Sequence, residues 1–122
     1  MKKNTKIILS TIIGKKSKID GDLNITGGLR VDGEITGNVR TDSFLTLSKN
    51  GFIKANVVAR ECLISGRVIG DVTIEDVLEI GDTGRIDGSI KAGKLIINSG
   101  AVFNGNCLMT KENEEDVKET EN

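Results

Sequence analysis

Val31-Asp32-Gly33-Glu34-Ile35-Thr36-Gly37-Asn38-Val39 returns 33 residues later as Ile64-Ser65-Gly66-Arg67-Val68-Ile69-Gly70-Asp71-Val72, with apolar residues at the same three places and glycine at the same two. A unit recurring at fixed spacing marks a stacked architecture, in which each winding buries its apolar side only against the next. Outward from this pair, the apolar triplet occurs six times: Ile13/Ile19/Leu23, Val31/Ile35/Val39, Leu47/Ile53/Val57, Ile64/Val68/Val72, Ile80/Ile86/Ile90 and Ile97/Phe103/Cys107. The spacing inside a triplet is six then four residues in the first, third, fifth and sixth, and four then four in the second and fourth. Long and short coils therefore alternate until the last, and two turns take about 33 residues.

A second register runs beside the first. Two residues before the third apolar member stand Gly21, Gly37, Ala55, Gly70, Gly88 and Gly105, and the next position holds Asp22, Asn38, Asn56, Asp71, Ser89 and Asn106. Small residues followed by small polar ones bend a chain or hydrogen-bond its backbone, which puts a corner in every coil. Ile, Val and Leu come in short alternating runs, and before about residue 110 helix formers do not recur at helical spacing. The pattern predicts an all-β chain wound into a single β-helix of about six coils. Three apolar ladders point inward, and Lys, Arg, Asp, Glu and Thr point out. At roughly 4.8 Å between strands, six coils make a rod of about 30 Å.

Composition fits a narrow, regularly turning core. The chain has 122 residues, 37% of them hydrophobic and only 2% aromatic, with no Pro, Trp, Tyr or His and 15 glycines spread along it. Net charge is -1 but unevenly laid out, with six lysines and no acid in residues 1–18 and six acids against two lysines in residues 111–122. Three segments follow: a basic and apolar start over 1–10, a β-helical domain over 11–110, and an acidic tail over 111–122 expected to stay disordered. The tail's plain role is to keep rods from bundling by mutual repulsion.

Much chemistry is excluded. There is no concentrated basic face or row of stacking aromatics for nucleic acid, and no phosphate-cradling Gly-x-x-x-x-Gly-Lys-Ser/Thr loop for a nucleotide. Without histidine, and without a calcium-binding Gly/Asp repeat, neither a metal nor any other cofactor is expected. The 18-residue coils and histidine of hexapeptide acyltransferases are missing too. Asp20, Asp32 and Asp87 each precede a glycine, which turn chemistry explains better than a carboxylate groove. Cys62 and Cys107 fall on ladder positions two coils apart, too far for a disulfide, so both are expected as buried free thiols in a reducing cytoplasm. The chain is not expected to be an enzyme.

The ends decide what such a rod does. A terminal coil exposes an apolar cross-section and a row of unpaired backbone groups, so repeat arrays need caps. No amphipathic helix precedes residue 11, and beyond Met109 the chain is too polar to cover an apolar end. Another copy of the rod would cover it, which predicts open end-to-end assembly with no nucleotide to drive it. The residues expected at such a junction are Ile13, Ile19 and Leu23 in the first coil and Phe103, Cys107 and Met109 in the last. Phe103 takes the inward place held by Ile19, Ile53 and Ile86 in the other long coils, enlarging the apolar surface at that end. Its plainer role is that of a core residue.

Thr11-Ile12-Ile13-Gly14, Lys18-Ile19-Asp20-Gly21-Asp22, Leu29-Arg30-Val31-Asp32-Gly33, Gly66-Arg67-Val68-Ile69-Gly70-Asp71-Val72 and Gly100-Ala101-Val102-Phe103-Asn104-Gly105-Asn106-Cys107 together resemble the bactofilins over about residues 10 to 110. The resemblance implies a right-handed parallel β-helix with disordered tails, nucleotide-independent polymerisation, and a scaffold role in bacterial cell shape, envelope organisation or motility. It also implies a membrane contact at the start of the chain. There Lys2, Lys3 and Lys6 would meet anionic headgroups while Ile7, Ile8 and Leu9 dip into the interface. The run is interrupted by Ser10 and Thr11 and lacks a small-residue cleavage site, so it does not read as a secretory signal. The expected place is the cytoplasm, at the inner face of its membrane. The competing reading is a β-helical adaptor that recruits a cell-wall or motility protein without long filaments.

Overall fold

The computed structural model describes residues 9–109. The first coil runs through β1 (Leu9–Ile13) and β2 (Lys18–Ile25), the second through β3 (Gly28–Val31) and β4 (Glu34–Thr41), and the third through β5 (Phe44–Leu47) and β6 (Phe52–Ala59). The fourth holds β7 (Glu61–Ile64), β8 (Arg67–Ile69) and the opening of β9 (Val72–Ile80). The fifth takes the rest of β9, then β10 (Arg85–Asp87) and the opening of β11 (Ile90–Ile97). The sixth completes β11 and adds β12 (Val102–Asn104) and β13 (Cys107–Met109). All pairings are parallel, each strand of the inner coils bonding to the strands one coil before and one coil after it. The result is a single right-handed parallel β-helix of about six turns.

The windings form a three-faced prism. The first face stacks β1, β3, β5, β7 and the closing halves of β9 and β11. The second stacks the opening halves of β2, β4 and β6 on β8, β10 and β12. The third stacks the closing halves of β2, β4 and β6 on the opening halves of β9 and β11 and on β13. Every step of the three predicted ladders is a register pair: Ile13, Val31, Leu47, Ile64, Ile80 and Ile97 on the first face. Ile19, Ile35, Ile53, Val68, Ile86 and Phe103 line the second. Leu23, Val39, Val57, Val72, Ile90 and Cys107 line the third. In the middle coils these side chains are buried, Ile53 and Ile86 fully. Each buried aliphatic group stabilises the rod by about 1.5 to 3 kcal/mol relative to an exposed one.

The three edges differ in what turns the chain. Between the second and third faces, Gly21, Gly37, Gly70, Gly88 and Gly105 hold φ between 126° and 145°. Side chains rarely adopt that region, which is why glycine recurs there. Beside them Asn38 donates to the Asp22 carboxylate at 2.9 Å, and Asp71 N–H donates to the Asn56 side-chain oxygen at 3.3 Å. Between the first and second faces, the long coils make four-residue turns closed by Ser17 N–H to Gly14 O, Gly51 N–H to Ser48 O, Gly84 N–H to Gly81 O and Ala101 N–H to Asn98 O, at 2.9 to 3.0 Å. The short coils turn here with Asp32-Gly33 and Ser65-Gly66.

One expectation is corrected inside the core. The pattern places Thr outside, yet Thr41 is buried, in register with Ile25 on the third face. Its hydroxyl donates to Gly27 O at 2.5 Å and accepts Ser43 N–H at 3.2 Å, so the buried polar group is satisfied at the edge where the third face turns into the first.

Candidate self-association surfaces

Among the described residues no strand lies over either end of the prism. Among the described residues β1 pairs only with β3 and β2 only with β4, while β12 pairs only with β10 and β13 only with β11. Each end therefore presents a strand edge whose outward N–H and C=O groups are available to another chain. The hydrophobic cross-section is also uncovered, unequally. Within the first-face ladder Ile80 is 0% exposed and Ile97, one coil further, is 39% exposed, whereas Ile13 at the opposite end is 5% exposed.

The predicted junction residues divide accordingly. In the last coil Phe103 is half-buried against the core, and Cys107 and Met109 are exposed, with the Cys107 thiol 3.9 Å from the Met109 sulfur. In the first coil Ile19 and Leu23 are partly buried, while Ile13 backs the surface instead of forming it. Ile96, Ile97, Val102 and Leu108, of which only Ile97 stands on a predicted ladder, are 37 to 60% exposed and complete the apolar rim of the last coil. Ile97 was legible as a ladder member with nothing above it; the outward residues Ile96, Val102 and Leu108 show only once the strand register is known.

The expected burial of both thiols holds for Cys62 and is corrected for Cys107. Cys62 sits between Leu45 and Leu78 in a filled ladder, and burial pushes its thiol far up. Cys107 is exposed because, among the described residues, no further winding lies over it, and partial burial raises its thiol. Of the predicted membrane contact, Lys2, Lys3, Lys6, Ile7 and Ile8 lie outside the described residues, as do the expected disordered tails. Leu9 opens β1, its backbone in register with Gly28.

Polar side chains brace the walls. Asn104 and Arg85 donate to the Asp87 carboxylate at 3.0 and 3.1 Å and hold it below its ordinary range, tying the last coil to the fifth. The neighbouring Ser48 side chain, Arg30 donating at 3.2 Å and the charge of Lys15 likewise hold the Asp32 carboxylate below its ordinary range. Arg60 pairs with Asp76 at 3.2 Å across one coil. These groups are largely solvated and contribute little each. All three carboxylates that invited comparison with a hydrolytic groove, Asp20, Asp32 and Asp87, stand at prism edges on outward positions. Among the described residues no three His, Cys, Asp or Glu side chains gather to hold a metal.

A closed-walled parallel β-helix with a filled interior, two open strand edges and an apolar end is the structure of a self-stacking solenoid. A family model described as polymer-forming cytoskeletal, the bactofilins, matches residues 11–108, and this chain belongs to that family. Bactofilin BacO of Myxococcus xanthus is 30% identical over 107 residues, 88% of this chain and 85% of the relative. Bactofilin BacP of the same organism is 32% identical over 100 residues, 82% of this chain but 42% of BacP. The chain in the cryo-EM reconstruction of Thermus thermophilus bactofilin double helical filaments is 33% identical and superposes with a TM-score of 0.78, over 82% of this chain and 99% of that one. The protein is a self-polymerising cytoskeletal scaffold.

Proposed function

We propose that this chain assembles by end-to-end stacking of its β-helices, without nucleotide, into filaments that lie at the inner face of the cytoplasmic membrane. There they serve cell shape, envelope organisation or motility. The protein works as a structural element and not as a catalyst. The observation that carries the stacking is the first-face ladder, where exposure rises from 0% at Ile80 to 39% at Ile97 in a single coil. A second rod restores the missing winding and pairs the open strand edges in the same step.

Untagged protein should form filaments in negative stain with neither ATP nor GTP present. Cys107 should react with a thiol reagent in dilute protein and be protected after assembly, while the buried Cys62 stays inert in both states. Protein that remains monomeric at high concentration, or a Cys107 equally reactive in both states, would sink the stacking.

The membrane contact rests on Lys2, Lys3 and Lys6 beside Ile7 and Ile8. At about 1 kcal/mol per lysine the attachment of one copy is weak, and a filament multiplies it. Co-sedimentation with anionic liposomes should drop on removal of residues 1–8 and stay low on neutral liposomes. Undiminished sedimentation of the truncated chain would overturn the contact.

A further inference from the structure

The chain has two Asn-Gly steps, Asn50-Gly51 and Asn104-Gly105. The backbone nitrogen after an asparagine can attack the side-chain amide carbon and close a five-membered imide ring, and a glycine presents that nitrogen with no side chain in the way. The nitrogen attacks as it loses its proton, so an N–H held in a hydrogen bond is protected.

The fold treats the two steps oppositely. In the first, Gly51 is buried and its N–H donates to Ser48 O at 2.9 Å, closing the turn. The second lies at the glycine corner of the last coil, with both residues exposed. In the two coils before it, the same corner N–H is held by the winding that follows: Gly70 N–H donates to Asp87 O and Gly88 N–H to Asn104 O, each at 2.9 Å. Among the described residues no winding follows Gly105, and its N–H has no acceptor. The column just before this corner reads Asp20, Thr36, Lys54, Ile69, Asp87 and Asn104, so asparagine stands there only in the coil whose glycine nitrogen is free. Asn104 also fastens that coil to the fifth, its amide donating to the Asp87 carboxylate at 3.0 Å directly across the strand pair while its carbonyl accepts Gly88 N–H.

We propose that Asn104-Gly105 is a self-modification site whose reaction with water retires unassembled copies of this chain. Gly105 N bonds to Asn104 Cγ, the Cγ–Nδ2 bond breaks, and ammonia leaves with the Gly105 proton. Water then opens the ring at either carbonyl. Opening at Cγ gives aspartate, whose carboxylate faces that of Asp87 across the pair, where like charges repel. Opening at the backbone carbonyl gives isoaspartate, whose main chain is longer by a methylene, and the carbonyl that received Gly88 N–H becomes a free carboxylate. Either product loosens the coil that carries Ile97, Phe103 and Cys107, the surface on which another rod stacks. A stacked rod covers the corner and arrests the reaction, so filaments preserve their subunits while free ends expire. This inference rests on the stacking proposed above.

The test is peptide mapping by mass spectrometry of the full chain, held warm at mildly alkaline pH as dilute rods and as filaments. Ring closure is intramolecular, so dilution by itself leaves its rate unchanged. In the free rod, conversion of amide to acid at Asn104 should run several times faster than at Asn50, with isoaspartate among the products. In filaments Asn104 should slow to the pace of Asn50. Aged free protein returned to assembly conditions should polymerise less in proportion to its converted fraction, and fresh Asn104→Asp should reproduce the loss. Asn104→Gln keeps an amide but closes only a slower six-membered ring, so it should age without loss. Asn104 no faster than Asn50 in the free rod, equal rates in rods and filaments, or converted protein that polymerises undiminished would each overturn the proposal. Fresh protein without any filaments would refute the stacking, and with it the retirement of copies, while the ratio of Asn104 to Asn50 in the free rod still decides the modification site.

Discussion

A chain carrying Gly88→Ala is expected to lose about 3 to 5 kcal/mol of stability, well beyond the loss from Gly21→Ala. Both glycines hold positive φ, 145° and 126°, so backbone strain of about 1 to 3 kcal/mol burdens either alanine. The difference lies in what surrounds them. A Cβ on Gly88 would run into the carbonyl oxygen of Gly70 and stand 2.7 Å from its carbonyl carbon, whereas at Gly21 nothing comes within 4 Å. The Gly70 oxygen belongs to the backbone of the coil below, so relief requires prising two windings apart and weakening the ladders on either side. Denaturant unfolding of the two variants measures the contrast. Equal losses would mean that the windings separate at no cost, contrary to a densely filled prism.

Phe103→Arg is expected to leave a folded chain that no longer polymerises. Phe103 lies on the last coil, half-buried, in register with the fully buried Ile86 beneath it. An arginine there reaches water in the lone rod, and a second rod stacked on it would trap an unpaired charge. That penalty, about 3 kcal/mol or more, raises the concentration needed for assembly by more than about 100-fold. Sedimentation and microscopy read the assembly, and circular dichroism reads the fold. Ile97→Arg should behave alike, Phe103→Ile should still assemble because isoleucine fills this place in four other coils, and Ile86→Arg should unfold the chain. Full-length filaments of the Phe103→Arg protein would remove this residue from the junction.

The fold was legible because a solenoid writes its contacts at a constant sequence separation. Val31, Ile64 and Ile97 could be placed over one another by counting, and the register pairs put them there through Leu47 and Ile80. The glycine corner was legible for the same reason, since a conformation used in five of the six windings leaves glycine in those five, the third having Ala55. Thr41 was not legible: between Arg40 and Asp42 it looks like surface, and only the Gly27 carbonyl beside it explains why a hydroxyl goes inside. The candidate junction was half legible. The expectation of an uncovered last coil comes from the polar run after Met109, but burial depends on neighbours in space, so the exposure of Cys107 and the shielding of Ile13 needed coordinates.

The backbone bonds of this rod point along its length, since each strand lies across the axis and bonds to the windings before and after it. A pull on the two ends therefore stretches three columns of such bonds at once and must open them together, a far stiffer response than unzipping one column at a time. Within a subunit those columns are backed by interdigitated aliphatic packing; at a junction they are backed only by the narrow end surface. Under rising tension a filament should part between subunits before any subunit unravels, and the separated ends keep the shape that lets them rejoin.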